Sequence, residues 1–297
     1  MTSICAGNQP FGPIAIKTRA PTLIPRPETE DWTIRLAALL EDRFPIRGRG
    51  GRKALRMLDL CTGTGCIPIL LSHLRRQVGG ITAAYGVDIS TNAVCLAREN
   101  ATDQSLTPSS GLNSIASHDG DPEAGTEVEE TGEFCGGTNR GHGAINLIAT
   151  NAAGGGQRSS FDVIRANIFQ ENFVQEELSR MKVPFDVITS NPPYIPLDEY
   201  ERLPRPVREW EDRRALLGDL PRHQSGGDSS DGRGLTFYHR IAEIVSTDGV
   251  LGANGVVALE VGYRQAEEVR GILKGKVSAT EVWKDPWGVP RVVVGHR

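Results

Sequence analysis

Among the five cysteines, Cys5, Cys61, Cys66, Cys95 and Cys135, there is no CxxC pair, and no histidine spacing completes a zinc site. An odd count without paired spacing excludes a disulfide framework and implies a reducing compartment. Long apolar runs are missing as well. None approaches the roughly 18–20 residues needed to cross a bilayer, and the N-terminus has neither a secretory apolar core nor an Arg-rich amphipathic start. An intracellular protein is expected, cytoplasmic or mitochondrial, with no membrane partner and no metal. A strongly basic character is also absent. The formal net charge is −4, and residues 101–160 hold eight acids against two bases, which leaves the remainder close to neutral. Duplex nucleic acid is therefore not expected as the main partner. Residues 1–56 are the exception, with ten Lys/Arg against five Asp/Glu, including the run from Arg47 to Lys53. That run reads as a solvated loop, with an anionic contact as the alternative.

What is present is a chain of 297 residues, 38% hydrophobic, enough for a packed core if some segments stay outside it. Residues 1–25 read as a β-hairpin, with strands Ile14–Thr18 and Thr22–Ile24 around an Arg19-Ala20-Pro21 turn. A helix follows from Glu28 to Phe44, with Thr29 as its cap and Ile34, Leu36, Ala37, Leu39 and Leu40 as its apolar face. Thereafter strands and helices alternate. Strands are expected at 54–60, 81–87, 161–168, 185–190, 255–261, 277–284 and 289–295, with helices at 67–78, 92–100, 171–181, 235–247 and 263–274, and a charged, partly helical stretch from Tyr200 to Leu217. The pattern is that of an α/β domain, 26–297, whose sheet is mostly parallel with one antiparallel member. Residues 101–160, with eleven glycines and almost no apolar periodicity, read as a disordered insertion in which Cys135 and His142 are isolated, and 218–234 as a flexible loop.

Three stretches carry chemistry. Strand 54–60 runs into Cys61-Thr62-Gly63-Thr64-Gly65 and a helix, a cradle in which backbone N–H groups and the helix dipole face a ligand. It lacks the continuation of the dinucleotide fingerprint and is weak alone. Asp88, at the tip of the second strand, is placed to accept both hydroxyls of a ribose, or to cap the next helix beside Ser90 and Thr91. Asn191-Pro192-Pro193-Tyr194 ends the fourth strand. Two consecutive prolines stop the ladder and hold a rigid extended turn. Its carboxamide, carbonyl and ring either grip a planar amino group or form an ordinary Pro-rich strand end. Arg26 and Glu28 read either as a surface ion pair or as substrate contacts.

DLCTGTG, Asp88 and SNPPYI together resemble the class I S-adenosylmethionine-dependent methyltransferases that act on planar nitrogens. Leu23 to Glu30, LIPRPETE, narrows the resemblance to the HemK/PrmC family, the protein-(glutamine-N5) methyltransferases of peptide chain release factors. Ala215 to Gly218, Asp231 to Leu235 and Leu259 to Gly262 extend it over nearly all of the chain from Phe11.

The resemblance implies a Rossmann-like seven-stranded sheet after a short β-hairpin, S-adenosyl-L-methionine as cofactor, a release factor as protein substrate and a monomer. It also implies roles. Cys61, Thr62, Gly63, Thr64 and Gly65 hold the methionine end, Asp88 the ribose, and Asn167 and Ile168 flank the adenine, with Asn191 bordering the cofactor. Asn191 and the Pro192 carbonyl accept the two amide N–H bonds of the substrate glutamine, Tyr194 stacks on the amide plane, and Pro193, Arg26 and Glu28 complete the substrate side.

Departures stand beside these roles, since the loop's first position is Cys61 where the family usually has Gly, and Asn167 and Ile168 replace an acid and an aromatic. Only ten residues precede Phe11, so the family's N-terminal helical domain is expected to be lacking. Adenine-N6 methylation of DNA or RNA is the nearest rival, because an exocyclic amine presents the same two N–H groups. A non-catalytic scaffold is the other.

Overall fold

The computed structural model describes residues 7–45, 55–75, 80–106, 159–181, 183–219 and 232–297. The Arg47–Lys53 run, Cys135 and His142, most of the expected insertion and the middle of the expected 218–234 loop lie outside the described residues.

A hairpin of β1 (Asn8–Phe11) and β2 (Ile14–Lys17) precedes α1 (Pro27–Arg43). The main sheet then builds from β3 (Leu55–Leu60), α2 (Cys66–Arg75), β4 (Ile81–Asp88), α3 (Thr91–Asp103), β5 (Ser160–Arg165) and β6 (Phe185–Ser190). Three short helices follow, α4 (Leu197–Tyr200), α5 (Arg205–Trp210) and α6 (Arg213–Leu216), and then α7 (Thr236–Ser246), β7 (Leu251–Glu260), α8 (Ala266–Leu273), β8 (Ala279–Lys284) and β9 (Pro290–His296). The seven strands lie in the order β5-β4-β3-β6-β7-β9-β8. All neighbours pair in parallel except those of β9, the one antiparallel strand. This is the sheet expected from the sequence.

Apolar residues on these strands alternate between two buried faces, which is why they read as continuous runs. Met57 pairs with Val187 and Val187 with Val256, while Leu58 pairs with Ile188 and Ile188 with Val257. The first set packs with Trp32, Leu36 and Leu40 of α1 and Ile69 to Leu71 of α2. The second packs with Tyr238, Ile241 and Val245 of α7 and Val269 and Leu273 of α8. Both layers thus hold the middle of the sheet rigid. Because chain order reverses direction at β3, with β4 on one side and β6 on the other, the C-terminal ends of β3 and β6 form the crevice where such sheets bind ligands. Among the described residues, no helix is long and apolar enough to cross a membrane, and no group of three or more His, Cys, Asp or Glu side chains could hold a metal.

Several local expectations are corrected. The hairpin is present but displaced, since Ile14–Lys17 is its second strand, paired to Asn8–Phe11 across a turn at Gly12 with φ +59. A polar first strand with a proline hides that pairing from pattern reading, and Thr22–Ile24 is not a strand. Helix α1 begins at Pro27, whose fixed φ suits a first helical position. Thr29 is therefore inside the helix and not its cap, and Ile34 points outward, 43% exposed, while Trp32 and Thr33 are buried. Instead of a regular helix at 171–181, a single π-helical turn spans Phe173–Leu178.

Asn100 ties the hairpin to the domain. Its Oδ1 accepts the Lys17 amide at 2.8 Å, and its Nδ2 donates to the carbonyls of Lys17 (3.2 Å) and Thr64 (3.0 Å). Asn100→Ala would strand these buried groups, so an unfolding free energy lower by about 1–3 kcal/mol is expected in denaturant titration. An unchanged midpoint would mean that Phe11, Ile14 and Ile16 hold the hairpin by packing alone.

Candidate active site

Four strand ends meet at one edge of the sheet: Leu60 of β3, Asp88 of β4, Ser190 of β6 and Glu260 of β7. The loop after β3 turns back on β4. Thr62 N donates to the Val87 carbonyl (3.0 Å) and Gly63 N to Asp88 Oδ2 (2.9 Å). Three of its residues are left-handed, Cys61 (φ 59), Gly63 (φ 56) and Gly65 (φ 76). At Gly65 a Cβ would meet Phe161, Ala97 and Ile69 at 3.0–3.2 Å, so packing requires glycine there. At Gly63 it would meet nothing within 4 Å, so the loop opens onto free space. Cys61 carries the left-handed strain of about 1–2 kcal/mol that a glycine would avoid. Burial raises its thiol pKa well above the ordinary value, with Asp88 and Asp59 adding to the shift.

Asp88 does not cap α3, a task that falls to Ser90; it braces the loop after β3 and the start of that helix instead. Oδ1 accepts the Ser90 amide at 2.9 Å and Oδ2 that of Gly63, while Ser90 itself caps α3 through Ala93 N (3.4 Å). Each carboxylate oxygen keeps a lone pair for an outside donor. Asn167 lies two residues beyond β5, in a turn where its Oδ1 accepts the Phe169 amide at 3.0 Å. Ile168 is buried at 5% in the core with Phe173 and Phe237, and its carbonyl accepts Arg240 Nε at 2.6 Å.

After β6 the chain enters Asn191-Pro192-Pro193-Tyr194, with both prolines buried and Asn191 and Tyr194 half-buried. The Tyr194 carbonyl accepts Gln265 Nε2 at 2.8 Å, and Gln265 also donates to Arg233 O (2.8 Å) and accepts the Gly262 amide (2.9 Å). Gly218 and Gly234 press on the Tyr194 backbone so closely that a Cβ on either would overlap it. Buried Asp219 accepts the Gly234 amide (2.8 Å) and the Leu197 amide (3.2 Å), and Ile195 bridges to Leu217. Segments 215–218, 232–235 and 259–262 therefore clamp the tip. Burial, reinforced by Glu260, pushes the Tyr194 phenol up to about 12, so it is neutral near pH 7 and is no base.

Sequence reasoning passed over the buried acids below this edge. Asp59, fully buried, accepts Thr189 at 2.5 Å and Thr62 at 2.6 Å. Glu260 accepts Thr29 Oγ1 and Trp32 Nε1, each at 2.7 Å, and Asn191 Nδ2 lies 3.4 Å from Thr29 Oγ1. Their signal was an acid within an apolar strand run, at the second-last residue of β3 and the last of β7. Arg26 pairs with the nearly buried Glu211, both oxygens 2.6 Å from Nη2, and not with Glu28. The sequence could not show this partner 185 residues away. Glu28 is half-buried, and its charge helps raise Glu260 and Tyr194.

Burial raises the carboxyl pKa of Asp59 to about 7 and shifts those of Asp88 and Glu260 upward. For a group whose folded pKa exceeds its unfolded one, the stabilising contribution is whole at low pH and lost as pH rises through the folded value. Thermal midpoints of the wild type are thus expected to fall between about pH 5 and pH 8, with a flatter decline in Asp59→Asn. Parallel curves for the two proteins would show that Asp59 does not titrate in that range.

No family model matches the chain. Its sequence is 29% identical over 285 residues to a release factor glutamine methyltransferase of Thermodesulfovibrio yellowstonii, covering 96% of this chain and 72% of that protein. It is 30% identical over 292 residues to the enzyme of the same name from Rhodospirillum rubrum, covering 98% of this chain and 63% of that one. Among solved structures, a release-factor-specific protein-(glutamine-N5) methyltransferase from Alicyclobacillus acidocaldarius aligns with 92% of this chain at 19% identity and a TM-score of 0.39. Over most of its length, then, the chain is similar in sequence to proteins named release factor glutamine methyltransferase.

Proposed function

We propose that the protein methylates the side-chain nitrogen of a glutamine in a peptide chain release factor, in a Gly-Gly-Gln tripeptide, with S-adenosyl-L-methionine as donor. The observation that carries this reading is the anchored tip after β6. Asn191 and the Pro192 carbonyl stand on a backbone held by Gln265, Asp219 and two glycines, at the same edge as the loop at 61–65 and Asp88.

The residues present fit the cofactor by chemistry. Asp88 keeps two lone pairs for two hydroxyls, and Gly63 borders open space. When bound, S-adenosylmethionine supplies an electrophilic methyl group on a sulfonium. Cys61 to Gly65 would hold its methionine end, Asp88 its ribose and the turn at Asn167 its adenine, while the buried Ile168 side chain would support that turn from below.

A glutamine amide is a weak nucleophile because its lone pair is delocalised into the carbonyl, so positioning must do most of the work. Asn191 Oδ1 and the Pro192 carbonyl would accept the two N–H bonds and aim the nitrogen, which lowers the barrier through orientation and through preorganised dipoles. The Tyr194 ring, over Gly262, offers a π face for the amide plane and for a nearby cation. A neutral phenol there fits this role and leaves no tyrosinate to act as base. The acidity that the amide nitrogen gains as its new bond forms lets the proton go to water. Arg26 is committed to Glu211 and reads as an anchor for α5, while Glu28, half-buried beside the site, remains available to the substrate.

Adenine-N6 methylation would use the same tip. With labelled cofactor and equal amounts of release factor and nucleic acid, label is expected in the protein; label confined to nucleic acid would favour the adenine reading. Absence of cofactor binding by folded protein in calorimetry would favour a non-catalytic scaffold. Asn191→Ala is expected to keep the cofactor Kd within a few-fold while kcat falls by roughly two to three orders of magnitude, the size of losing one preorganised partner. Equal losses in both would remove Asn191 from the acceptor role.

A further inference from the structure

A carboxamide is nearly symmetric in shape, so only its neighbours decide which end presents oxygen. This matters at Asn191, because an outward amino group would face the substrate amide donor to donor. The structure supplies a chain of partners that makes the choice. Trp32 and Thr29, three residues apart on α1 and each 2% exposed, both donate to Oε2 of Glu260, itself 3% exposed. An indole N–H can only donate, and a carboxylate can only accept. The single proton of the Thr29 hydroxyl is therefore spent on Glu260. What Thr29 turns toward Asn191 is lone-pair density, and the atom 3.4 Å away is Nδ2.

We propose that Thr29 and Glu260 are positioning residues that lock the Asn191 carboxamide with its amino end inward and Oδ1 outward, toward the acceptor amide. The proposal rests on the reading of Asn191 as that acceptor's partner. It also gives the segment after Pro25 a task. Pro27 starts α1 where it does, and that start puts Thr29 and Trp32 on the face turned to the end of β7. Tyr238 fixes the far side of Glu260, donating its hydroxyl to the Glu260 carbonyl at 2.8 Å. A merely structural hydroxyl at position 29 would affect folding and cofactor binding together; an orienting one acts on turnover alone.

The test compares wild type, Thr29→Val, Thr29→Ser and Thr29→Ala in steady-state methylation of a release factor, with the cofactor Kd measured by calorimetry. Wild type is expected to methylate glutamine. Thr29→Val, of nearly the same volume, should lower kcat roughly tenfold, the worth of one hydrogen bond, with the release factor KM and the cofactor Kd within about twofold. Thr29→Ser should recover most of the loss. If Thr29→Val does not fold, Thr29→Ala carries the test with the same expected split, since it too removes the oxygen that faces Asn191 Nδ2. Undiminished kcat in the folded variants, a change in KM alone, or a serine variant as impaired as the valine one would overturn the proposal. A wild type that methylates no glutamine would instead remove the underlying reading of the site, which this design detects separately.

Discussion

The carboxylate of Asp59 joins the two halves of the site. One oxygen holds Thr62, in the loop that opens toward Gly63, and the other holds Thr189, two residues before Asn191. Both bonds are short and wholly buried, and the one to Thr189 crosses between β3 and β6, the neighbours at which the sheet changes direction. A buried acid is costly unless hydrogen-bonded, so its partners are held as firmly as it is. The loop after β3 and the tip after β6 are thereby set from one point, which the proposed reaction, governed by orientation, requires.

Around that point the edge is built as two separate supports. Asp88 and the amides of Gly63 and Ser90 organise the loop side. Gln265, Asp219, Gly218 and Gly234 organise the Tyr194 side without contributing reactive groups. Glu260 reaches across from β7 to α1, so the helix after the hairpin belongs to the active edge and is no mere cover for the sheet. The left-handed Cys61 shows that this arrangement tolerates local strain where the chain departs from glycine.

The sheet was legible because its strands are buried on both faces and its helices repeat at 3.6 residues; all seven strands fall where apolar runs predict them, within a few residues. Pairings without a local signature were not legible. Asn8–Phe11 has too little apolar character to announce a strand, and the inward side of α1 is chosen by Trp32 and Thr33, which meet β7 and its neighbours far along the chain. For the site, the short-range motifs placed Asp88 and Asn191 correctly at strand tips. The partner of Arg26, the bond from Thr29 to Glu260 and the clamp on Tyr194 depend on contacts across 71 to 231 residues, which no spacing encodes. The burial of Ile168 was illegible for a related reason, since adjacency in sequence does not decide which way a side chain turns.

The central claim is that this edge presents a planar amide, not a base, to the methyl donor. Tandem mass spectrometry of a release factor after incubation with the protein and S-adenosylmethionine tests it most directly. The account predicts a single added methyl on the side-chain nitrogen of the glutamine in Gly-Gly-Gln. A methyl on any other residue, with that glutamine unmodified, would contradict it.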